Sequence, residues 1–336
     1  MVSEIKAISY YLPEDVLSNQ ALVEQFPEWS IQKIEDKTGI KQRHISADDE
    51  LASDMAVKAA EKLFEEYAID RSIIDFVILC TQSPDYYLPT TACIIQNKLG
   101  LSTSTGAFDI NLGCSGFVYS LGICRGLIES NQAKNILLLT SETYSKFIDP
   151  RDKSIRTLFG DAACATLVSA ADGSSKIENF VYGTDGAGAE HLIVKRNSLR
   201  INDHAKTEEM IEDEYGNKRK MGDLFMNGAE VFNFSIKSVP VLIKQTLEKN
   251  NMEMEDVDYF VLHQPNKFML DGLQRRSKIP KEKFLTYYEQ CGNTVSSTIP
   301  IVLKESMKSG ILKKGNRVLL AGFGVGYSWA GCILTL

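Results

Sequence analysis

A cysteine, a histidine and an asparagine stand at matching places in two similar stretches of this sequence: Cys114, His263 and Asn293. A cysteine thiolate is a nucleophile, and an imidazole and a carboxamide can donate hydrogen bonds to charge that develops on a substrate oxygen. These side-chain types suit covalent catalysis through the sulfur. The chemistry requires a fold that brings the three residues together.

The two stretches repeat the same order of apolar blocks. In the first stretch the blocks are DFVILCTQS from Asp75, FDINLGCSGF around Cys114 and NILLLTSE from Asn135. In the second stretch they are DYFVLHQPN from Asp258, YYEQCGNTVSS around Asn293 and RVLLAGFG from Arg317. The first and third blocks begin 60 residues apart in one stretch and 59 in the other. This spacing predicts an internal duplication about a pseudo-twofold axis, with Cys114 opposite Asn293.

Short apolar runs alternate with amphipathic stretches along the chain. Runs such as FVILC, NILLLT and YFVLH have the length of buried strands. Helical spacing recurs between these runs. Ser53 is the candidate N-cap of one predicted helix, and an apolar stripe within residues 117–128 indicates a second helix. The alternation predicts an α/β fold. We divide it at the turn AADGSS into a half of residues 1–174, which carries the cysteine, and a half of residues 175–336.

The composition argues against a nucleic-acid-binding or membrane protein. Hydrophobic residues make up 44% of the 336 residues, charged residues 24%, and the net charge of −7 disfavours a nucleic-acid surface. No run approaches the roughly 18 apolar residues of a membrane span, and the N-terminus lacks an apolar signal segment. Seven cysteines, an odd number without a C-x-x-C pair, indicate reduced thiols in a soluble, cytoplasmic protein.

Cys114 differs from the other cysteines in its surroundings. It follows the strand pattern FDINLG and precedes an amphipathic helix, so we expect its thiol at a helix N-terminus. Unpaired N–H groups and the helix dipole at that place favour thiolate. Gly113 and Gly116 leave room for a substrate beside the sulfur. The other six cysteines are interpreted as buried apolar residues.

His263 and Asn293 are weaker signals when each is taken alone. His263 ends an apolar strand and is followed by QPN, at the strand edge where α/β sheets bind ligands. A hydrogen-bonded structural histidine and a plain turn asparagine would fit the same two positions. Their places in the repeat favour a role beside Cys114.

The glycine-rich segment GFGVG, Gly322 to Gly326, is not interpreted as a dinucleotide-binding turn. Its spacing is not G-x-G-x-x-G, and only ten residues follow it, too few for a βαβ unit. Its backbone N–H groups can instead hold an oxyanion. No histidine pair or cysteine cluster has metal-ligand spacing, so no metal is expected.

Residues 202–223, NDHAKTEEMIEDEYGNKRKMGD, interrupt the pattern because they are charged and nearly free of large aliphatic side chains. We expect an exposed, mobile surface loop, with a lid over the site as the alternative.

Several motifs together resemble those of the β-ketoacyl-acyl-carrier-protein synthase III family, condensing enzymes of the thiolase fold. The resemblance runs from the N-terminus to Leu336. Its motifs are TGI and RHI within residues 38–45, the Cys114 turn, FGD at residues 159–161, HQPN, GNT and the C-terminal GFG. The Cys–His–Asn set is specific, since related thiolases and longer-chain synthases carry Cys–His–Cys and Cys–His–His sets. The resemblance implies a thiolase-like α/β fold of two duplicated βαβ-type halves, layered α/β/α/β/α.

The resemblance also implies a decarboxylative Claisen condensation in two stages. Cys114 takes the acyl group of a primer thioester, carried by coenzyme A or by an acyl carrier, while the Cys114 and Val325 amides hold the oxyanion. Malonyl-acyl carrier protein then loses CO2. His263 and Asn293 stabilise the resulting enolate, which attacks the acyl group and gives a β-ketoacyl-acyl carrier protein.

Further site residues follow only from this resemblance. Phe323 would lie beside the site, and Leu88 would reach the acyl pocket of the partner subunit in a homodimer. No bound cofactor is implied, because coenzyme A is part of a substrate.

The residues that would bind the primer carrier depart from the family pattern. Lys33 and Lys37 stand where the family commonly has the Trp and Arg that clamp the adenine of coenzyme A, and Lys153 replaces a second Arg. Asn266 completes this set. Lysine lacks a stacking plane and a planar fork, so we expect weaker coenzyme A recognition or a different primer carrier.

A basic segment offers a docking surface for an acidic carrier protein. Residues 267–283 hold six basic residues against two acidic ones, and Lys267, Arg275 and Arg276 are the candidates for carrier contact. A solvated helix face is the alternative interpretation.

Three rival functions fit parts of the pattern. An acyltransferase would pass the acyl group from the cysteine to an alcohol or amine without decarboxylation. A papain-like protease also uses Cys, His and Asn in this order, but its C-G-[SA]-C-[WY] signature is missing here. A non-catalytic partner subunit usually lacks the nucleophile, which this chain has.

Overall fold

The chain folds into two similar five-stranded sheets with helices between and outside them. The computed structural model describes residues 2–171 and 174–336. The strands are β1 (Val2–Tyr11), β2 (Asp15–Ser18), β3 (Gln42–Ile45), β4 (Phe76–Cys80), β5 (Gly106–Ile110), β6 (Asn135–Glu142), β7 (Ala162–Ala171), β8 (Lys176–Thr184), β9 (Leu192–Ile193), β10 (Met210–Glu212), β11 (Lys218–Lys220), β12 (Phe225–Met226), β13 (Tyr259–Leu262), β14 (Phe284–Leu285), β15 (Arg317–Gly324) and β16 (Ser328–Thr335). The α-helices are α1 (Asn19–Gln25), α2 (Ile31–Thr38), α3 (Ala52–Tyr67), α4 (Thr91–Lys98), α5 (Gly116–Glu129), α6 (Lys153–Arg156), α7 (His204–Thr207), α8 (Gly228–Lys249), α9 (Lys267–Arg276) and α10 (Thr298–Lys308).

The two large sheets have the same topology, so the predicted duplication is confirmed. The first has the strand order β1-β7-β6-β4-β5 and the second β8-β16-β15-β13-β14. In each sheet one central strand, β4 or β13, runs parallel to both of its neighbours, and the other pairings are antiparallel. The predicted division between residues 174 and 175 falls between β7 and β8, beside Asp172 and Gly173, which lie outside the described residues.

Two aspartates mark equivalent points of the repeat. The Asp75 carboxylate accepts hydrogen bonds from the backbone N–H groups of Lys134 (2.8 Å) and Asn135 (3.2 Å) at the start of β6. The Asp258 carboxylate accepts one from Arg317 (2.8 Å) at the start of β15. Each aspartate therefore fixes the beginning of a strand that carries site residues at its far end.

Helices lie in three layers, which gives the predicted α/β/α/β/α order. α5 and α10 pack between the sheets, α3 and α4 cover the outer face of the first sheet, and α8 and α9 cover the second. The apolar stripe of α5 is fully buried in the central layer, because it meets apolar side chains of both sheets. Its N-terminus is consequently held rigidly at the junction of the halves.

Helix boundaries follow the sequence signals with one correction. α3 begins at Ala52 with Leu51 as its N-cap, so Ser53 is not the cap and lies buried in the first turn. The Asp54 carboxylate accepts the Leu51 N–H (3.0 Å) and satisfies the helix start in place of a serine cap.

The charged insertion is more ordered than expected. Within it α7 precedes a hairpin of β10 and β11, and Thr207, Asn217 and Asp223 are buried. The insertion is tied to the body where Leu224 N donates to the Phe147 carbonyl (2.8 Å) and Arg151 Nη2 lies 3.2 Å from Met210 Sδ. Most residues of the insertion are exposed, as expected, but they form a short helix and a hairpin with a few buried polar side chains and are not an irregular loop.

All seven cysteines are free, and six of them are buried; Cys93 is exposed. Among the residues that the structure describes, no helix is long and apolar enough to cross a membrane. In the same described part of the chain, no group of three His, Cys, Asp or Glu side chains is placed to hold a metal ion.

Candidate active site

A pocket of about 220 Å³ brings Cys114, His263 and Asn293 together at the junction of the two halves. Cys114 lies in the turn before α5, His263 directly follows β13, and Asn293 precedes the single 3₁₀ turn that leads into α10. The sulfur and both candidate donors are almost fully buried. The wall is otherwise mainly apolar, so a reaction here proceeds away from bulk water.

The electrostatic environment of Cys114 differs from the expectation. Burial raises the pKa of the Cys114 thiol to about 12, although hydrogen bonds from the N–H groups of Val325 and of Cys114 itself lower it, and the nearby Glu142 raises it further. The amides thus act in the direction that the helix N-terminus predicts, but they do not offset the burial of the sulfur. The desolvation cost of a buried anion outweighs the amide dipoles that face the sulfur.

His263 is held as a neutral imidazole. Burial lowers its pKa to about 3. Its Nδ1 lies 2.8 Å from Thr298 Oγ1, which also lies 3.0 Å from the Val295 carbonyl. The hydroxyl has a single proton: donated to the Val295 carbonyl, it leaves Oγ1 to accept from the Nδ1–H, whereas donated to Nδ1 it places the imidazole proton on Nε2, where it can reach a ligand. The Phe323 ring packs edge-on against the imidazole, with ring centroids 5.6 Å apart.

Asn293 is oriented by its own loop. Its Oδ1 accepts a hydrogen bond from Val295 N (3.0 Å), which leaves the Nδ2 hydrogens as free donors. Its backbone N donates to the Leu158 carbonyl (2.9 Å), and its carbonyl accepts from Gly160 N (3.1 Å). The FGD segment of the first half therefore fixes the asparagine of the second half.

The glycine-rich turn after β15 faces the sulfur. A Cβ at Gly324 would lie 2.8 Å from Cys114 Sγ, so only glycine leaves this space free. Ser328 Oγ donates to the Val325 carbonyl (3.0 Å) and lies 2.6 Å from Ser115 Oγ. These hydroxyls connect the turn that carries the Val325 amide to the turn that carries the sulfur.

The predicted primer-carrier residues line one cleft of about 720 Å³. Lys33, Lys37, Lys153 and Asn266 all contribute to its wall. Lys153 forms an ion pair with Glu28 (2.7 Å), which also lines the cleft. Asn266 lines both this cleft and the catalytic pocket, so the two spaces are adjacent.

Sequence reasoning missed Trp29 as a member of this cleft. The Lys33 Nζ lies 5.0 Å and the Lys37 Nζ 5.9 Å from the centroid of its ring. The cleft therefore has an aromatic plane, supplied from four residues before Lys33. A signal was present, because Trp29 is one of only two tryptophans and stands at a helical spacing of four from that lysine. Tyr215 of the insertion lines the same cleft.

The basic docking residues lie on α9, beside the cleft. Arg275 and Arg276 are exposed in its last turn, and Lys267, at its start, pairs with Asp271 (2.6 Å). The Phe268 side chain between them lines the cleft and is 61% exposed. The start of α9 thus borders the cleft, and Arg275 and Arg276 lie roughly two helical turns further along the helix.

Leu88 lies apart from the catalytic pocket of its own chain. It is 82% exposed, on a loop that also exposes Tyr86 and Tyr87. These two tyrosines line a surface cavity of about 840 Å³, whose inner wall includes Tyr144, Leu192 and Val325. The role of Leu88 in a partner subunit stays a prediction.

A buried carboxyl group behind the site was also missed. Glu142 ends β6 and is fully buried. Burial raises the pKa of the Glu142 carboxyl group to about 8, and the hydrogen bond that it accepts from the Gln82 N–H opposes this rise. Both carboxylate oxygens lie 3.1 Å from Gln82 N, and Ser83 Oγ donates to one of them. The sequence signal was an acidic residue at the end of the apolar run NILLLTSE.

Two family profiles match this chain. The profile described as 3-oxoacyl-[acyl-carrier-protein (ACP)] synthase III matches residues 108–186, and the profile of its C-terminal part matches residues 247–336. The first match contains Cys114, and the second contains His263 and Asn293.

Relatives and solved structures agree over the full length. A β-ketoacyl-[acyl-carrier-protein] synthase III from Clostridium perfringens is 38% identical over 326 residues, with 97% of each chain covered. A crystal structure of a 3-oxoacyl-(acyl-carrier-protein) synthase III superposes with a TM-score of 0.98 at 50% identity, covering all of both chains. The enzyme from Thermus thermophilus superposes with a TM-score of 0.88 at 33% identity, covering 99% of each.

Fold and site thus define a thiolase-like condensing enzyme. The chain belongs to the β-ketoacyl-acyl-carrier-protein synthase III family. Its reaction is an acyl transfer that forms a carbon–carbon bond between an acyl primer and a malonyl unit.

Proposed function

We propose that this enzyme condenses an acyl thioester primer with malonyl-acyl carrier protein through an acyl-Cys114 intermediate, assisted by His263 and Asn293. The observation that carries the proposal is the convergence of these three side chains in one buried pocket, with the Val325 and Cys114 amides on the sulfur.

In the first stage, the Cys114 sulfur attacks the primer carbonyl. The new carbon–sulfur bond replaces the bond to the carrier thiol, and the thiol proton leaves with that carrier. The negative charge on the carbonyl oxygen is met by the two amides that contact Sγ in the resting enzyme. Their fixed geometry favours the tetrahedral intermediate because no dipole has to reorient during the reaction.

In the second stage, the malonyl thioester replaces the departed carrier. His263 Nε2 and Asn293 Nδ2 donate to its thioester carbonyl. Loss of CO2 leaves an enolate whose oxygen both donors stabilise, and the enolate carbon attacks the acyl carbonyl. The Cys114 sulfur departs and takes up a proton. A histidine with a strongly lowered pKa suits this role, since a neutral imidazole donates a hydrogen bond without forming an ion pair with the malonyl carboxylate.

We further propose how the carriers reach the site. The phosphopantetheine arm passes along the cleft of Trp29, Lys33, Lys37, Lys153 and Asn266, and the carrier protein rests on the basic end of α9. The adjacency of cleft and pocket through Asn266 supports this path. Leu88 extends toward a second subunit in a homodimer, and residues 1–174 and 175–336 act as the two halves of the catalytic unit.

The experiment is intact-protein mass measurement after incubation with acyl-coenzyme A, followed by malonyl-acyl carrier protein. We expect an acyl adduct that disappears with release of CO2 and a β-ketoacyl product. Cys114→Ala should form no adduct, and His263→Ala should form the adduct but fail to discharge it. An adduct that passes to an alcohol or amine without CO2 would favour simple acyl transfer, and an adduct on Cys114→Ala would refute the nucleophile.

A further inference from the structure

One buried aromatic residue, Tyr144, lies behind the apolar wall of the catalytic pocket. Tyr144 belongs to the same packed cluster as Cys114, Phe159, Leu192, Leu224 and Val295. It is 4% exposed, and its ring centroid lies 5.3 Å from that of Phe159, which lines the pocket around the sulfur. The space beside Cys114 on this side is therefore occupied by a ring.

Beyond this wall lies the larger cavity of about 840 Å³. Tyr144, Leu192, Leu224 and Val325 form its inner wall, and Leu192 lines the catalytic pocket as well. The two spaces thus share Leu192 in their walls, and we call Tyr144 and Leu192 together the partition. A chain growing away from the sulfur in this direction meets the Tyr144 ring before it can reach the cavity.

Hydrogen bonds keep the ring in place. Tyr144 Oη donates to Gln82 Oε1 (2.6 Å), and the backbone N of Gln82 donates to both oxygens of Glu142 (3.1 Å each). The Gln82 side chain also abuts Gly113, the residue before the nucleophile. Edge-on packing against Phe147, at 5.8 Å between centroids, closes the remaining side. Rotation of the ring would therefore break a buried hydrogen bond and displace packed side chains.

We propose that the Tyr144 ring limits the length of the acyl primer that Cys114 can carry, so that short primers react and long primers do not. The inference rests on the proposed function, because it concerns the acyl group that Cys114 carries. A longer primer must either displace the anchored ring or leave its tail in the cleft lined by Trp29 and Lys33, which we call the carrier cleft. A methylene that does not fit an apolar site typically costs roughly tenfold or more in kcat/KM.

The test is a chain-length profile of Cys114 acylation, measured by intact-protein mass and initial rate. The panel is acetyl-, butyryl-, hexanoyl-, octanoyl- and decanoyl-coenzyme A. For the wild-type protein we expect kcat/KM to fall at least about tenfold between butyryl and hexanoyl. Tyr144→Leu should move the fall to octanoyl or beyond. Tyr144→Phe, which keeps the ring but not its anchor, should retain the short-chain preference.

Two further variants provide a matched control and a second test of the partition. Phe64→Leu truncates another buried aromatic residue, in the outer apolar cluster of the first sheet, and should leave the profile unchanged. Leu192→Ala thins the same partition and should also admit longer chains, which keeps the test decisive if Tyr144→Leu does not fold. Equal use of acetyl and decanoyl primers by the wild type, or an unchanged profile in every partition variant that folds, would overturn the role of Tyr144. Absence of any acyl adduct at Cys114 would instead overturn the proposed function.

Discussion

Gly324 provides the space that the Cys114 sulfur occupies. A Cβ at this glycine would lie 2.8 Å from Sγ and 2.7 Å from the cysteine Cβ, closer than side-chain carbons normally pack. Gly324→Ala must therefore shift the sulfur or the turn that carries the Val325 amide. We expect the rate of acyl-enzyme formation to drop by roughly a hundredfold, as for small misplacements of reacting groups. Stopped-flow acylation with acetyl-coenzyme A measures this rate.

The matched control for this change is Gly126→Ala. Gly126 lies exposed in α5, and an added methyl group there meets no atom within 4 Å. This control should acylate normally and melt at the same or a higher temperature, because alanine favours a helix. Normal acylation of Gly324→Ala would contradict the tight contact between turn and sulfur.

Thr298 is expected to act on the reaction through His263. Its hydroxyl lies 2.8 Å from Nδ1, and when it turns from the Val295 carbonyl (3.0 Å) to donate to Nδ1 it places the imidazole proton on Nε2. Thr298→Val keeps the shape but removes this partner, so condensation should slow about tenfold while Cys114 acylation stays normal. The KM for malonyl-acyl carrier protein should change little, since the effect lies on charge that develops during decarboxylation.

Thr298→Ser serves as the conservative comparison and should restore the condensation rate. Single-turnover discharge of a preformed acyl-enzyme separates this step from acylation. If serine and valine variants behave alike, the hydroxyl has no part in positioning the imidazole.

The raised pKa of Cys114 predicts a steep dependence of its reactivity on pH. Only the thiolate reacts with an alkylating reagent, and burial holds the thiol pKa at about 12. At every pH well below that value, one unit of increase raises the thiolate fraction about tenfold. The rate of iodoacetamide modification should therefore climb without a plateau through the neutral range. A plateau near neutral pH would show that the helix dipole and the amides overcome burial after all.

Cys93 offers an internal reference for this measurement, because it is the exposed cysteine among the seven. Its modification can be followed in the same sample by peptide mass. Measurement on Cys114→Ala identifies which adduct belongs to which residue.

The basic end of α9 should matter for the carrier protein and not for the chemistry. Reversing both charges in Arg275→Glu/Arg276→Glu is expected to raise the KM for malonyl-acyl carrier protein about tenfold at low salt, with kcat unchanged. The difference should shrink as salt is added, because exposed charges are screened over about 10 Å at 0.1 M.

Lys313→Glu/Lys314→Glu carries the same change of charge on an exposed loop after α10, away from the carrier cleft. It should leave the KM unchanged. An equal effect of both double variants would point to net charge alone and remove the case for a docking surface on α9.

The repeat and its three polar residues were accessible from sequence because their signals are local. Asp75 and Asp258 begin apolar blocks, and the residues after each block fall at strand ends whatever the details of packing. Cys114 could be placed at a helix N-terminus for the same reason. Its pKa could not be predicted, because the desolvation of the sulfur depends on side chains contributed by distant parts of the chain.

The places of Tyr144 and Trp29 in the structure also depend on residues that are distant in the sequence. Nothing in the run TSETYSK distinguishes a tyrosine that blocks a cavity from one on the surface, since its partners Phe159 and Leu192 follow later in the chain. Trp29 reaches the carrier cleft through the orientation of α2 on the body. The hairpin within residues 202–223 was not predicted, because its charged composition gives no sign of Asn217 and Asp223, which become buried only once the hairpin has formed.

Glu142 and Gly324 end equivalent strands of the two halves, β6 and β15, each eight residues long. The first half, which carries the nucleophile, thus has a carboxyl side chain at the position where the second half requires glycine, whose side chain is a single hydrogen. The two halves share one framework but differ at this point, because a glycine of the second half leaves space for the sulfur of the first half. Replacing Gly324 with the glutamate of its counterpart would make the two strand ends alike and fill the space in which the reaction occurs.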